Sequence, residues 1–113
     1  MKLRLLALCS KNQWRSPTAE VMYRQDPRVE VRSAGTSAKA AHTVSQKDIE
    51  WTQILLCMEP KHARMLKQRF GGQTLPPIKV ADIPDEYEYR DEELVELLRG
   101  EIEDLLTNKP IQR

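Results

Sequence analysis

The stretch LRLLALCSKNQWRSP, residues 3–17, contains an apolar run, a polar loop and a helix-start signal in direct succession. The run from Leu3 to Leu8 is apolar except for one arginine, which predicts a central strand of a parallel sheet that is covered on both faces. Ser16-Pro17 predicts a helix start, because serine caps free amides and proline fits the first helical position. Cys9 and Arg15 are therefore expected on the turn between a buried strand and a helix.

Length and charge exclude several classes of function. With 113 residues the chain is expected to form one domain over residues 1–113. Its 18 basic and 17 acidic side chains nearly cancel, so no overall field attracts nucleic acid or an acidic membrane. The first apolar run is too short for a membrane span and no small-residue cleavage site follows it. We expect a cytoplasmic monomer with Cys9 and Cys57 as free thiols.

Strand and helix patterns alternate along the rest of the chain. The predicted elements are a helix from Ser16 to about Arg24, a strand Val29 to Ser33, a helix from a capping box at Ser45 to about Thr52, a strand Gln53 to Met58, a helix to about Phe70, a strand Ile78 to Val80, and a helix Glu92 to Leu106 with Leu94, Leu97, Leu98, Ile102 and Leu105 on its apolar stripe. Strands separated by helices predict right-handed crossovers and a parallel sheet. Ligands of such sheets bind beyond the carboxyl ends of the strands, where Cys9 lies.

The loop after the first strand has the residue types of an oxyanion site. Successive backbone amides at a helix start carry partial positive charge, which suits a phosphate dianion. Arg15 adds a planar fork for two phosphate oxygens. Cys9 in such surroundings is expected to be ionised at neutral pH, and Ser16 to donate a hydrogen bond to its sulfur. The residues therefore predict a phosphate site that contains a reactive thiolate.

Four segments together resemble the low molecular weight protein tyrosine phosphatases. They are Cys9 to Glu20 (CSKNQWRSPTAE), Ser33 to Thr36 (SAGT), Ile54 to Met58 (ILLCM) and Ile83 to Tyr87 (IPDEY). The four segments are spread along most of the chain and occur in the same order as in that family. The resemblance implies an α/β fold, a three-layer sandwich around a four-stranded parallel sheet. It also implies hydrolysis of protein phosphotyrosine or of small aryl phosphates, without a metal or another cofactor.

The resemblance assigns roles to individual residues. Cys9 would attack phosphorus and form a cysteinyl-phosphate, while Arg15 and the loop amides stabilise the oxygens. Asp85 would protonate the leaving oxygen and then deprotonate the attacking water. Asn12 would hold the conformation of the loop, and Tyr87 would form an aromatic wall of the substrate pocket. The other members of the implied phosphate-binding loop are Ser10, Lys11, Gln13, Trp14 and Ser16.

Three positions depart from the pattern of that family. Trp14 stands where a second cysteine is frequent, and Lys11 stands where glycine is usual, so either no positive φ is needed there or the loop differs. Glu86 replaces the proline that usually follows the acid. Asp82 therefore remains an alternative to Asp85 as the general acid.

Two other functions stay open at this point. An arsenate reductase of the same fold would use Cys57 as a second thiol, although its apolar surroundings QILLCM favour a core cysteine. A non-catalytic phosphate-binding module would tolerate the altered segment around the proposed acid, Asp85. His42 and His62 have no partners at metal-ligand spacing, so we expect both on the solvated surface.

Overall fold

Strands and helices alternate in the computed structural model, which describes residues 2–108. The elements are β1 (Leu3–Cys9), α1 (Arg15–Met22), β2 (Val29–Gly35), α2 (Gln46–Trp51), β3 (Ile54–Cys57), α3 (Pro60–Phe70), β4 (Ile78–Val80) and α4 (Glu92–Asn108). The strands form one parallel sheet in the order β2-β1-β3-β4. The predicted α/β fold with a four-stranded parallel sheet is confirmed.

Strand β1 lies inside the sheet because its residues are apolar toward both faces. Leu5 and Leu6 are fully buried, but they belong to different hydrophobic clusters. Leu5 packs in the cluster that contains residues of α1 and α4, and Leu6 in the cluster that contains residues of α2 and α3. Successive side chains of a strand point to opposite faces, so the continuous apolar run results from burial on both sides.

Helix α4 covers one face of the sheet with a narrower stripe than the sequence predicts. Leu94, Leu98, Ile102 and Leu105 are buried in the core, whereas Leu97 is 40% exposed. The buried positions recur at intervals of three and four residues, which defines one face of the helix, and Leu97 lies beside that face. Within residues 2–108, none of the helices combines the length and the apolar composition that a bilayer crossing requires.

The start of α1 differs from the prediction, whereas the start of α2 agrees with it. Trp14 is the N-cap of α1, Arg15 is its first residue, and no side chain caps it. The expected cap, Ser16, lies one residue inside the helix because its hydroxyl is engaged within the preceding loop. The capping box predicted at Ser45 is confirmed, with Asp48 as its second member.

Candidate active site

The loop between β1 and α1 is held by the segment that follows β2. Backbone amides of residues 36, 37 and 41 donate to the carbonyls of Cys9, Ser10 and Lys11 at 3.0, 2.9 and 3.1 Å. These bonds turn three consecutive loop carbonyls toward that segment. A loop whose carbonyls are satisfied on one side has its other side available for an anion.

Two residues allow the loop to lie close to β2. A Cβ atom on Gly35 would lie 2.6 Å from the Ser10 carbonyl oxygen and 3.0 Å from the Asn12 nitrogen, so only glycine permits this approach. The left-handed conformation falls on Asn12, with φ of 56°, and not on Lys11. Asparagine tolerates this conformation better than most residues. A lysine in place of the glycine usual at position 11 therefore needs no strained backbone.

The sulfur of Cys9 has a hydroxyl partner beneath the loop. Ser16 Oγ lies 3.0 Å from Cys9 Sγ, and Asn12 Nδ2 donates to the same oxygen at 3.0 Å. Since Asn12 supplies the proton of its own bond, the Ser16 hydroxyl can donate its proton to the sulfur at 3.0 Å or to the Ala34 carbonyl oxygen at 3.4 Å. All three side chains are buried, Ser16 completely. The sulfur thus has a buried polar partner at the end of a buried strand.

Arg15 is buried and oriented by protein groups on one side. Its Nη1 donates to Glu59 Oε2 at 2.5 Å and to the Ile83 carbonyl oxygen at 2.8 Å. Its Nε lies 3.7 Å from Asp85 Oδ1, which is too far for a hydrogen bond. Both hydrogen bonds use Nη1, so the edge formed by Nε and Nη2 remains for the pocket that Arg15 lines. Such an edge of a guanidinium has the geometry to bind two oxygens of one phosphate.

Glu59 is a site residue that the sequence analysis did not identify. Burial of its carboxyl favours the neutral acid, but the hydrogen bond and charge of Arg15 outweigh burial and hold the pKa of Glu59 below its usual value. An ionised Glu59 fixes the guanidinium through a charge-assisted bond. No local pattern pairs residues that are 44 positions apart.

A pocket of about 350 Å³ opens above the loop. Its lining residues are Cys9, Ser10, Lys11, Gln13, Trp14, Arg15, Lys61 and Asp85. The pocket thus combines the sulfur, the guanidinium and one carboxylate. The remaining members of the implied loop, Asn12 and Ser16, lie buried.

The two acid candidates differ in their position relative to this pocket. Asp85 lines it, and its side chain is 57% exposed. Asp82 is not one of the lining residues, and its backbone has a φ of 59°. A general acid must come within hydrogen-bond reach of the leaving group. Of the two carboxylates, only that of Asp85 belongs to a residue that lines the pocket.

The aromatic residue at the pocket is not the one that the resemblance implied. Tyr87 is absent from the lining; its hydroxyl donates to Glu93 Oε2 at 3.0 Å, and its ring packs against the core. Tyr87 is thus engaged with the first turn of α4. Trp14, which is 44% exposed, lines the pocket instead.

The two histidines lie in different surroundings, and the surface expectation is wrong for His62. Its side chain is fully buried, with Nε2 3.0 Å from Ser10 Oγ and Nδ1 accepting a bond from the Glu59 amide at 3.0 Å. Burial, with the nearby charge of Arg15, lowers the pKa of His62 to about 4. His42 is exposed, with Nε2 3.0 Å from Asp48 Oδ2. Within residues 2–108, no group of three or more His, Cys, Asp or Glu side chains is arranged to hold a metal ion.

The second cysteine lies outside the site. Cys57 is fully buried in the cluster on the α2 and α3 side of the sheet, whereas Cys9 belongs to the cluster on the α1 and α4 side. Burial raises the pKa of Cys57 to about 12, so this thiol stays neutral. The sheet itself separates the two sulfurs.

Comparison with known proteins identifies the fold. No family model and no curated protein matches the chain. Among solved structures, the chain is similar to the YwlE arginine phosphatase from Geobacillus stearothermophilus, with 23% identity, a TM-score of 0.66 and coverage of 98% of this chain and 97% of that one. It is also similar to SP-PTP, a low molecular weight protein tyrosine phosphatase from Streptococcus pyogenes, with 21% identity, a TM-score of 0.77 and coverage of 96% and 93%. A third similar structure is the tyrosine phosphatase Wzb from Escherichia coli K30 in complex with phosphate, with 20% identity, a TM-score of 0.70 and coverage of 96% and 99%. The resemblance drawn from the sequence is thus confirmed at the level of the fold.

Proposed function

We propose that this chain, which has the fold of the low molecular weight protein tyrosine phosphatases, is a cysteine-dependent phosphatase. The proposal rests above all on one observation: the Cys9 sulfur, held 3.0 Å from the Ser16 hydroxyl, shares a pocket with Arg15 and Asp85. A nucleophile, an oxyanion-binding group and an acid around one cavity are the parts that phosphoryl transfer to a thiolate requires.

The first step forms a covalent intermediate. The Cys9 thiolate attacks phosphorus, and a sulfur–phosphorus bond forms as the bond to the leaving oxygen breaks. The Nε and Nη2 edge of Arg15 and the loop amides hold the non-bridging oxygens, whose charge they stabilise in the transition state. Asp85 donates its proton to the leaving oxygen, which departs as a neutral alcohol or phenol.

The second step releases phosphate. The Asp85 carboxylate accepts a proton from a water molecule, whose oxygen attacks phosphorus as the sulfur–phosphorus bond breaks. Sulfur leaves as the thiolate, which the Ser16 hydroxyl stabilises from a distance of 3.0 Å. The products are inorganic phosphate and the starting enzyme, with Asp85 protonated again. The exposure of the Asp85 side chain gives it access to water.

The substrate that we propose is phosphotyrosine in a protein or a small aryl phosphate. Trp14 supports this choice, because its half-exposed indole at the pocket offers a face against which a phenyl ring can stack. Phosphoarginine is the competing substrate, since one structural neighbour is an arginine phosphatase. Peptides of one sequence that carry either phosphotyrosine or phosphoarginine distinguish the two. We expect a higher kcat/KM for the tyrosine form, and a smaller preference in Trp14→Ala.

Hydrolysis of p-nitrophenyl phosphate tests the reaction itself. We expect turnover that persists in excess chelator, competitive inhibition by vanadate, and no turnover in Cys9→Ser. Activity that survives in Cys9→Ser would contradict the proposal. Tight binding of a phosphotyrosine peptide without any turnover would instead favour the non-catalytic binding module.

The arsenate reductase alternative has less support. It needs a second thiol near the nucleophile, and Cys57 lies in the cluster on the other side of the sheet. Thiol-coupled turnover of arsenate that is lost in Cys57→Ala would revive it.

A further inference from the structure

His62 lies in the first turn of α3 and contacts Ser10 of the loop between β1 and α1. Its imidazole is fully buried and has a hydrogen-bond partner at each ring nitrogen. One partner is the backbone amide of Glu59, and the other is the hydroxyl of Ser10, a pocket-lining residue. The two proposed steps of phosphoryl transfer give this buried imidazole no part.

The two bonds fix the tautomer of the ring. A backbone N–H can only donate, so Nδ1 of His62, 3.0 Å from the Glu59 nitrogen, must be an unprotonated acceptor. The ring proton is therefore on Nε2, which donates to Ser10 Oγ at 3.0 Å. The opposite tautomer would place two donors, Nδ1–H and the Glu59 N–H, against each other.

This assignment determines what the Ser10 hydroxyl can do. A serine hydroxyl has one proton and two acceptor lone pairs. Since Nε2 of His62 fills an acceptor site of Ser10 Oγ, the hydroxyl proton is directed away from the imidazole. Ser10 lines the pocket, so this proton is available to a bound oxyanion.

We propose that His62 is a positioning residue, which makes the Ser10 hydroxyl a hydrogen-bond donor to a phosphoryl oxygen in the pocket. This inference rests on the proposed function for its catalytic consequence. Its structural content, the tautomer of His62 and the help of Ser10 in oxyanion binding, stands independently of turnover.

The surroundings of His62 keep the required tautomer in place. The charged groups that act on the ring are Arg15 and Lys61, which oppose its protonation, and Glu59 and Asp85, which favour it. Burial is the largest influence, and the pKa of His62 is lowered to about 4. The ring therefore stays neutral, with its proton on Nε2, at the pH of an ordinary assay.

Two substitutions at this position separate the two bonds. His62→Asn keeps an acceptor near the place of Nδ1 and so keeps the bond from the Glu59 amide, but it loses the donor to Ser10. His62→Gln places its amide donor near the position of Nε2 and so keeps the bond to Ser10. We expect both variants to fold, with kcat reduced about ten- to a hundredfold in His62→Asn, as for loss of a hydrogen bond to a charged group, and largely rescued in His62→Gln.

A double-mutant cycle shows whether His62 acts through Ser10. If it does, Ser10→Ala lowers kcat by a similar factor, and His62→Asn has no further effect on kcat in the Ser10→Ala background. Independent, multiplying effects of the two substitutions would overturn the proposal. So would equal activity of His62→Asn and the wild type.

Two readouts remain informative even if the chain hydrolyses nothing. Nitrogen NMR of histidine-labelled wild-type protein should show His62 as the neutral form protonated on Nε2, and calorimetry should show weaker vanadate binding in Ser10→Ala and His62→Asn than in His62→Gln. A ring protonated on Nδ1, or vanadate binding that is equal in all the variants, would refute the positioning role. Loss of turnover in every variant and in the wild type, with these two results intact, would refute the proposed function alone.

Discussion

Strands β1 and β3 are hydrogen-bonded neighbours that each end in a cysteine, and the two thiols have opposite surroundings. Both are nearly inaccessible, Cys9 with 3% and Cys57 with 0% of its surface exposed. Cys9 has the Ser16 hydroxyl 3.0 Å away and lines a pocket with Arg15. Cys57 is packed among apolar side chains, and burial raises its pKa to about 12. The two thiols therefore differ in the polarity of their neighbours and hardly at all in their exposure.

The difference arises from the side of the sheet and from the segment after each strand. Successive side chains of a strand point to opposite faces of the sheet. The Cys9 side chain points to the face covered by α1 and α4, and the Cys57 side chain to the face covered by α2 and α3. After β1 the chain forms a polar loop and the start of α1. Asn12 of the loop is hydrogen-bonded to Ser16 of α1, and the Ser16 hydroxyl contacts the Cys9 sulfur. After β3 the chain enters α3, which covers Cys57 with residues such as Leu66. The same side chain thus borders a polar pocket at one strand end and packs as an apolar core residue at the other.

Substituting each cysteine separately gives the largest expected contrast in kcat. Cys9→Ser should reduce kcat by about 10⁴-fold or more, as expected for removal of a nucleophile, whereas Cys57→Ala should keep kcat within a factor of about two of the wild type. Initial rates with p-nitrophenyl phosphate measure both. Similar losses in the two variants would show that the two strand ends are not functionally distinct.

The Arg15 guanidinium tests the proposed anion site at the end of β1. Arg15→Lys keeps the charge but loses the planar fork and the fixed orientation set by Glu59, so we expect kcat/KM to fall about 10²- to 10³-fold. Arg28→Lys is the matched control, because Arg28 forms its ion pairs with Asp26 and Glu103. A lysine variant at position 15 with wild-type kcat/KM would show that charge alone is sufficient at the β1 end.

Substitution of the proposed acid, Asp85, should change kcat by a factor that depends on the leaving group. Asp85→Asn should lower kcat by about 10²-fold for aryl phosphates with poor leaving groups, and much less for those with good ones, because only poor leaving groups need the proton. Asp82→Asn should leave both rates near the wild-type values. A leaving-group dependence in Asp82→Asn and none in Asp85→Asn would exchange the two roles.

The smallest expected effect is a pH dependence of stability, and it involves His62, which follows β3 in the chain. Its pKa falls from the ordinary 6.5 to about 4 in the folded protein, so between these values the unfolded chain binds a proton that the folded chain does not. Stability is therefore lost as the pH falls, by about 2 kcal/mol between pH 7 and pH 5.

Urea unfolding of the wild type and of His62→Gln at both pH values measures this effect. The free energy of unfolding should fall less for the variant than for the wild type. The carboxyl of Glu59 titrates below this range, because its pKa is lowered from 4.5. An equal loss in both proteins would mean that His62 is already protonated in the fold or is not buried.

The sequence predicts the fold well because the relevant signals are local. Both the apolar run of β1 and the capping box at Ser45 involve neighbours in the chain, and the structure has elements at the places they indicate. The N-cap of α1 lies two residues before the predicted one, since Ser16 is a residue type that caps helices but its hydroxyl is engaged by Asn12 and Cys9. Tertiary contacts outweigh local preference there.

The site is predicted less completely because its supporting residues come from distant parts of the chain. Cys9 and Arg15 lie at the two ends of one loop and are readable from their spacing. Glu59 and His62 meet Arg15 and Ser10 across 44 and 52 residues, which no local pattern encodes. The Glu59 amide and His62 Nδ1 do form a local bond across three positions at the start of α3, but glutamate and histidine are not the residue types by which a capping box is read from a sequence.

Trapping the covalent intermediate tests the central claim most directly. Rapid acid quenching of the enzyme during turnover of p-nitrophenyl phosphate, followed by peptide mass spectrometry, should find one phosphoryl group on the peptide that contains Cys9 and none on the peptide that contains Cys57. Asp85→Asn should accumulate more of this species, because the water that releases phosphate then lacks its base. Turnover without any phosphorylated Cys9 peptide, or turnover that persists in Cys9→Ser, would contradict the account.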